Sequence, residues 1–357
     1  MATPTTSFAA DHQTEEDHLL GHVLTVTQVV RETEHSVSVS FDVPEALTDK
    51  FQYKAGQFLT IRIPSDLTGH IARCYSLSSA PGVDPALTVA VKRTRDGYGS
   101  NWINDNAKPG LSLRVMAPAG TFVPTQSGRD LVLFSGGSGV TPIISIAKWT
   151  LANTEQKVSM FYANTDPDSI IFNNQLQELT RQYPDRFVLT HWLDSQNGRV
   201  DAAAISAFVQ ANKEAEVFVC GPGPFMELVK ATLHDADWPR ERLHIEEYVS
   251  LHTDPFQAPD EPSEDEGPDS QVTVKLDGQE HQLNWAANAN LVDIMLRKGL
   301  NVPYSCREGD CGSCIARLRT GTVDMAVTDA LEPEDMADGY ILACQAHPTS
   351  QELSVEF

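Results

Sequence analysis

The sequence predicts a multidomain fold of three units in series. They are an antiparallel β-barrel over 18–126, an α/β unit with a parallel sheet over 127–253, and a small α+β unit over 271–357. Three observations predict it. Residues 22–123 are filled with short β-branched and apolar runs separated by Gly, Pro or Asp, and many short strands with little helix point to a closed barrel. From Arg129 onward apolar runs alternate with helical stretches, the pattern of a parallel sheet covered on both faces. A Pro- and acid-rich break over 254–270 then isolates the last unit. At 357 residues the chain exceeds one ordinary core, so several domains are expected.

In the barrel the expected strands are 22–30, 36–43, 57–63, 87–92 and 111–115. In the α/β unit the apolar runs 131–134, 158–162, 187–191 and 217–220 alternate with helical stretches 142–151, 173–181, 202–210 and 225–233. The segment 254–269 holds four prolines, seven acids and no Lys or Arg. It buries no apolar surface and reads as a solvated, extended linker. In the last unit, runs 271–276 and 279–283 flank Asp277-Gly278, a hairpin signal, and 290–298 reads as a helix. There is no internal repeat.

Composition narrows the function. Hydrophobic residues make up 41% and charged residues 21%, ordinary for a globular protein. A net charge of −23 argues against nucleic acid, since phosphate binding needs basic patches. The charge suits partners with basic surfaces, or simply keeps the chain in solution. The N-terminus carries Asp11, Glu15, Glu16 and Asp17 and lacks the basic start and apolar run of a secretory signal. No stretch has the apolar length of a membrane span. The expected location is the cytoplasm, where cysteines serve more often as metal ligands or free thiols than as disulfides.

Four of the six cysteines fall in the last unit. Four residues separate Cys306 from Cys311, two separate Cys311 from Cys314, and 29 separate Cys314 from Cys344. This is the spacing of plant-type [2Fe–2S] centres. Three close thiolates wrap a cluster from one loop, and the distant fourth ties that loop to the core. Gly309 and Gly312 allow the loop to turn its amides toward sulfur. A structural zinc site is the rival reading, but only Cys311 and Cys314 form a clear knuckle.

Over 271–357 the chain resembles a plant-type ferredoxin. The matching residues run from Pro303-Tyr304-Ser305-Cys306 through Gly312-Ser313-Cys314, and then Ile341-Leu342-Ala343-Cys344. The resemblance implies a β-grasp fold and a one-electron carrier. Upstream, Arg73-Cys74-Tyr75-Ser76 resembles the R-x-Y-S motif of the ferredoxin–NADP reductase superfamily. That likeness implies FAD: Arg73 as a fork for the pyrophosphate, Tyr75 against the isoalloxazine, and Ser76 near the flavin N5. Cys74 within this stretch reads as a packed thiol. Gly99 and Ser100 read as a pyrophosphate nest at a helix start. The resemblance adds Val91, Lys92 and Asn101 to the flavin set. Pro118-Ala119-Gly120-Thr121-Phe122 resembles the turn that closes the family's barrel.

Gly136-Gly137-Ser138-Gly139-Val140-Thr141-Pro142 lies between an apolar run and a helix. It matches the superfamily's G-x-G-x-T-P pattern, which implies a dinucleotide phosphate beside Gly137 and Gly139 and places Thr141 near the nicotinamide. Cys220-Gly221-Pro222 with Met226 resembles the second nicotinamide motif, in which Cys220 approaches the reacting carbon. His244-Ile245-Glu246-Glu247-Tyr248 resembles the end of the family's sheet, implying Tyr248 near the flavin and Glu246 in the site. The loop 162–169 carries Asp166 and Asp168 where a 2′-phosphate wants Arg or Lys, so NADH is expected over NADPH.

With these motifs the resemblance spans nearly the whole chain. It is to oxygenase reductases ordered flavin barrel, NAD domain, ferredoxin. It implies electrons passing from NADH to FAD, to the [2Fe–2S] cluster, and on to a separate, Rieske-type oxygenase, with Ser76, Cys220 and Glu246 at the reacting centre and the reductase a monomer. The linker is expected to let the ferredoxin unit swing. Several stretches, among them 63–66, 72–77 and 251–256, resemble the reductase components of 3-ketosteroid 9α-hydroxylases. Reductases of the phenylacetyl-CoA epoxidase or alkane hydroxylase type are the nearest alternative, and a stand-alone flavin or nitric oxide reductase is a second class. Asp329, Glu332, Glu334, Asp335 and Asp338 read either as a dock for a basic partner or as a solvated helix start.

Overall fold

A computed structural model describes residues 20–259 and 270–357. The chain divides into two compact units, one holding Val23–Ser250 and the other Leu251–Phe357 with the described residues up to His22. The barrel and the α/β sheet therefore share one unit. Most of the acid-rich N-terminus lies outside the described residues.

The barrel is built from β1 (His22–Thr33), β2 (Ser36–Asp42), β3 (Phe58–Ser65), β4 (Gly69–Ser76), β5 (Leu87–Lys92) and β6 (Ser112–Val115). The sheet order is β4-β3-β6-β1-β2-β5, and the recorded pairings are antiparallel. A bridge between Leu77 and Val89 joins the two edge strands and closes the sheet. Alternation explains the core: Leu24, Val26, Val37, Val39, Phe41, Leu59, Ile61 and Val89 turn inward. On β2 the alternate serines are buried with polar partners; Ser40 meets the Thr88 hydroxyl at 2.9 Å. β4, which carries Arg73 to Ser76, was not among the expected strands. Its sequence is polar, and it pairs along its whole length with β3, from Phe58–Ser76 to Ser65–Gly69.

Helix α1 (Tyr98–Asn106) follows the barrel's fifth strand. Asn104 on it donates to the Val91 carbonyl at 3.0 Å. The second layer alternates β7 (Leu131–Gly136), α2 (Val140–Asn153), β8 (Val158–Asn164), α3 (Asn173–Gln182), β9 (Phe187–Leu193), α4 (Ala202–Gln210), β10 (Glu216–Cys220), α5 (Gly223–Asp235) and β11 (Leu243–Glu246). The sheet is wholly parallel, in the order β11-β10-β7-β8-β9. The strand order reverses between β7 and β10. Ligands bind at such a crevice, beyond the carboxyl ends of the strands.

The other unit pairs β12 (Ser270–Leu276) with β13 (Gln279–Trp285) across Asp277-Gly278, both at positive φ. Helix α6 (Leu291–Arg297) follows, then β14 (Ile315–Thr320), β15 (Val323–Met325), α7 (Pro333–Ala337), β16 (Tyr340–Leu342), β17 (Ala346–Pro348) and β18 (Glu352–Glu356). The main sheet runs β13-β12-β18-β14-β16, with β12 and β18 parallel. Its core gathers Val272, Trp285, Leu291, Met295, Leu342 and Val355 with Cys314 and Cys344.

The boundary between the units falls earlier than expected. The Glu308 carboxylate accepts the amides of His252, at 2.7 Å, and Thr253. Arg307 donates to the Gln257 carbonyl at 2.8 Å, and Leu20 donates to the Phe256 carbonyl at 2.7 Å. Phe256 is fully buried. Residues 252–257 thus form a strap bound to the cysteine-bearing loop rather than the start of a free linker. The rest of the expected linker, 260–269, lies outside the described residues.

Candidate redox site

The flavin-type motif lines a cleft of about 360 Å³. Arg73, Cys74, Tyr75 and Ser76 come from β4, Lys92 from the end of β5, and Gly99 and Ser100 from the first turn of α1. Two cations, the amides of a helix's first turn and an aromatic wall suit a pyrophosphate followed by a flat ring. Gly99 packs tightly, since a Cβ there would lie 3.0 Å from Ile63 and 3.1 Å from Arg73. Burial pushes the Tyr75 phenol well up, so it stays neutral. Two expected residues do not face the cleft. Val91 belongs to the barrel core. The Asn101 amide instead holds the preceding loop, donating to Gly97 at 2.7 Å and Thr94 at 3.2 Å.

At the inner end of this cleft, elements distant in sequence meet. Ser76 Oγ donates to the Tyr248 hydroxyl at 3.3 Å, and that hydroxyl lies 3.3 Å from the Ser138 carbonyl. Tyr248 is 46% exposed: its ring is open while its hydroxyl is enclosed among Ser76, Ser138 and the Cys220 thiol. Burial, and then the nearby Glu246 charge, pushes the Cys220 thiol up. Burial raises Glu246 from 4.5 to about 8, leaving it largely protonated at neutral pH. Thr141 lines the same cleft, and its hydroxyl is held by the Ser138 carbonyl at 2.9 Å. His244, by contrast, is a packing residue stacked 4.4 Å from Phe218.

A second cleft of about 360 Å³ opens past the carboxyl ends of β7, β8 and β10. Gly136, Gly137, Pro222 and Lys92 line it, with Asn164, Thr165, Asp194 and Arg199 also on its wall. Glycines let the two loops at the crevice touch. A Cβ on Gly139 would fall 2.1 Å from the Cys220 carbonyl oxygen, and one on Gly221 would fall 2.9 Å from Phe225. Gly139 and Gly221 therefore serve loop-to-loop packing. The Asn164 side chain is buried on this wall beside the Tyr162 hydroxyl. An amide there suits a nucleotide.

Asp166 is used in a capping box, accepting from the Ser169 amide at 2.9 Å, and neither it nor Asp168 lines the cleft. The acid there is Asp194, with Arg199 also on the wall. Sequence spacing gave no signal for either, because they sit on the connection after β9.

In the cluster loop the cysteines stand as two pairs. Cys306 has Cys311 as its neighbour and Cys344 has Cys314, and each pairing lowers the first-named thiol; the Cys311 thiol itself donates to the Ser313 hydroxyl at 3.3 Å. Amides of Glu308, Asp310 and Cys311 point at Cys306, and that of Gly309 at Cys344. The Glu308 amide lies 3.4 Å from the Cys306 sulfur. Gly309 has φ +91°, and a Cβ there would lie 2.9 Å from Val327. Among the described residues, no three His, Cys, Asp or Glu side chains converge on one ion. Two cysteine pairs with backbone amides aimed at their sulfurs suit a [2Fe–2S] cluster, whose sulfurs accept such bonds. Arg307, at φ +60° and paired with Asp293 of α6, fixes the loop to the helix. Of the acids before Cys344, Glu332 and Asp335 form the capping box of α7.

Comparison with known proteins agrees with this layout. The oxidoreductase FAD-binding domain family matches residues 23–123, the oxidoreductase NAD-binding domain family 133–231, and the 2Fe-2S iron-sulfur cluster binding domain family 274–349. The ferredoxin reductase component of the 3-ketosteroid-9-alpha-monooxygenase of Rhodococcus rhodochrous is 49% identical over 338 residues, 94% of this chain and 96% of that one. One subunit of the 1,2-phenylacetyl-CoA epoxidase of Escherichia coli is 31% identical, covering 94% of this chain and 97% of its own. The solved structure of phthalate dioxygenase reductase shares the fold, with a TM-score of 0.57 and 23% identity over 96% of this chain and 99% of that one. No helix among the described residues is long and apolar enough to cross a membrane. The chain belongs to the family of ferredoxin reductase components of multicomponent monooxygenases, oxidoreductases with FAD, NAD and [2Fe–2S] domains that serve a separate terminal oxygenase.

Proposed function

We propose that the chain is the NADH-dependent reductase component of a 3-ketosteroid 9α-hydroxylase. Bound FAD supplies the conversion of a hydride pair into single electrons for the [2Fe–2S] cluster. Arg73, Lys92 and the amides of Gly99 and Ser100 would hold the flavin pyrophosphate, Tyr75 and Tyr248 would offer aromatic faces to the ring, and Ser76 would offer it a hydroxyl. Thr141, Pro222 and Gly137 seat the nicotinamide half. Cys220 and Glu246, both kept neutral by burial, lie beside the Tyr248 hydroxyl and line neither cleft.

The observation that carries the reading is the 3.3 Å contact between Ser76 and Tyr248. It joins the flavin motif of the barrel to the end of the sheet that holds the nicotinamide loops. Asp194 favours NADH, because a carboxylate beside the adenine ribose repels a 2′-phosphate. The steroid system is favoured over an epoxidase by identities of 49% against 31%. A Rieske-type partner, a monomeric reductase and a cytoplasmic setting complete the reading.

Reconstitution tests it. With NADH and a Rieske 3-ketosteroid oxygenase, the chain should drive ring hydroxylation. Turnover only with an epoxidase or alkane hydroxylase component would overturn the steroid assignment. Equal or greater kcat/KM with NADPH would overturn the NADH assignment.

A further inference from the structure

Helix α2 begins at the nicotinamide loop and presents Thr141, Ser145 and Lys148 at spacings of four and three, which is one helical face. Thr141 lines the flavin cleft. One turn on, Ser145 Oγ donates to the Ser79 carbonyl at 2.6 Å and lies 3.3 Å from the Gly56 amide. A further turn on, Lys148 Nζ donates to the Ser78 carbonyl at 3.1 Å and pairs with Asp84 at 3.1 Å. The same Asp84 oxygen accepts the Ala80 amide at 2.7 Å. Ser78 and Ser79 follow the end of β4 at Ser76. Ser79 is itself held, its hydroxyl accepting from Tyr53 at 2.9 Å and from the Thr88 amide at 3.0 Å.

Ser145 is fully buried and Lys148 is 9% exposed. Burying an ammonium is costly unless it is paired, and an apolar contact would seal the same joint more cheaply. What the polar joint adds is register, because hydrogen bonds to two successive carbonyls allow one position along the strand. Residues 76–80 and 141–148 are thus tied together, with a flavin contact on one partner and a nicotinamide contact on the other. Hydride transfer is sensitive to this distance, and a misplacement of about 1 Å costs roughly 100-fold.

We propose that Lys148, with Ser145, is a positioning residue for hydride transfer. It sets the register between the helix that seats the nicotinamide and the strand that seats the flavin. The inference rests on the assignment of 73–76 to flavin and 137–141 to nicotinamide.

The test uses full-length holoprotein. K148M keeps the aliphatic stem and removes the charge, S145A removes the second bond, and K148R restores a cation. NADH and its 4-deuterated form are mixed with each under stopped flow. The readouts are the limiting rate of flavin bleaching, the dissociation constant of NADH, and the long-wavelength absorbance of NADH against flavin. K148M should bind FAD stoichiometrically and keep its NADH dissociation constant within about threefold. Its bleaching rate should fall about tenfold or more, with a larger deuterium effect and a weaker long-wavelength band. K148R should recover part of the rate, and S145A should show the same pattern more mildly. A wild-type rate and band in K148M would overturn the proposal, as would loss of NADH affinity in step with rate. Should K148M fail to retain FAD, S145A decides alone: unchanged bleaching in it overturns the proposal. Failure of the wild-type flavin to bleach with NADH would instead sink the functional reading.

Discussion

Ser76 on the barrel donates to the Tyr248 hydroxyl at the end of the parallel sheet, 172 positions later. The two side chains come from different layers, yet they close one cleft with Ser138 and Cys220. On the proposed reading the reacting centre is assembled from both layers, and a hydroxyl at Ser76 would act on the transition state more than on binding.

Ser76→Ala should retain FAD and NADH affinity and lose hydride-transfer rate. One hydrogen bond to a charge-developing atom is worth about 1.5–3 kcal/mol, which is roughly 10–100-fold in rate. Stopped-flow bleaching of the flavin by NADH measures it. A rate within twofold of wild type would remove Ser76 from the mechanism.

Glu246 gives a pH signature. Burial raises it from 4.5 to about 8, so the folded chain holds this proton more tightly than the unfolded chain does. Its contribution to stability is complete below 4.5 and is lost as the pH rises through about 8. Glu246→Gln should flatten that part of the profile and raise the thermal midpoint at about pH 9, by about 2–4 °C per kcal/mol recovered. Calorimetry of the holoprotein at acid and alkaline pH provides the comparison. An unchanged slope would show that the carboxyl is ionised in the native state.

Asp194→Asn should admit NADPH. Removing one carboxylate while Arg199 remains on the cleft wall should raise kcat/KM for NADPH about tenfold, a change of about 1.4 kcal/mol. NADH should change by less. Steady-state ferricyanide reduction with both nucleotides reads it, and equal effects on the two would mean that Asp194 does not face the ribose.

The strap predicts a further asymmetry. Glu308 accepts two successive amides, those of His252 and Thr253. Glu308→Ala should accelerate hydrogen exchange at these two amides about tenfold or more and open the segment to proteases. Removing half of 260–269 should leave cytochrome c reduction within about twofold, because the chain is already anchored before that segment. Protected amides in the variant, or a large loss on shortening, would contradict the strap.

Much of this was legible from residues alone. The four cysteines had the right spacing, and positive φ at Gly309 and Gly312 supplies the turning that the loop needs. Alternating runs gave the parallel sheet, because buried strands leave unbroken apolar stretches. β4 escaped because His70, Arg73 and Cys74 interrupt its alternation, and its partner strand is what makes it a strand. The capping role of Asp166 was not legible, because it is local and depends on Ser169, three residues on. Asp194, Arg199 and Asn164 could not be foreseen, since only the adjacency of β8 and β9 brings their loops together. The packing constraint on Gly139 was not legible either: the nearest atom to its missing Cβ is the Cys220 carbonyl oxygen, 2.1 Å away.

The anchoring of 252–257 also decides where the polypeptide tolerates a cut. A recombinant ferredoxin module started at residue 270 would discard the strap and leave the Glu308 carboxylate and Arg307 without their backbone ligands. A fusion designer borrowing this electron carrier should take the breakpoint before Leu251, so that the strap travels with the cysteine-bearing loop.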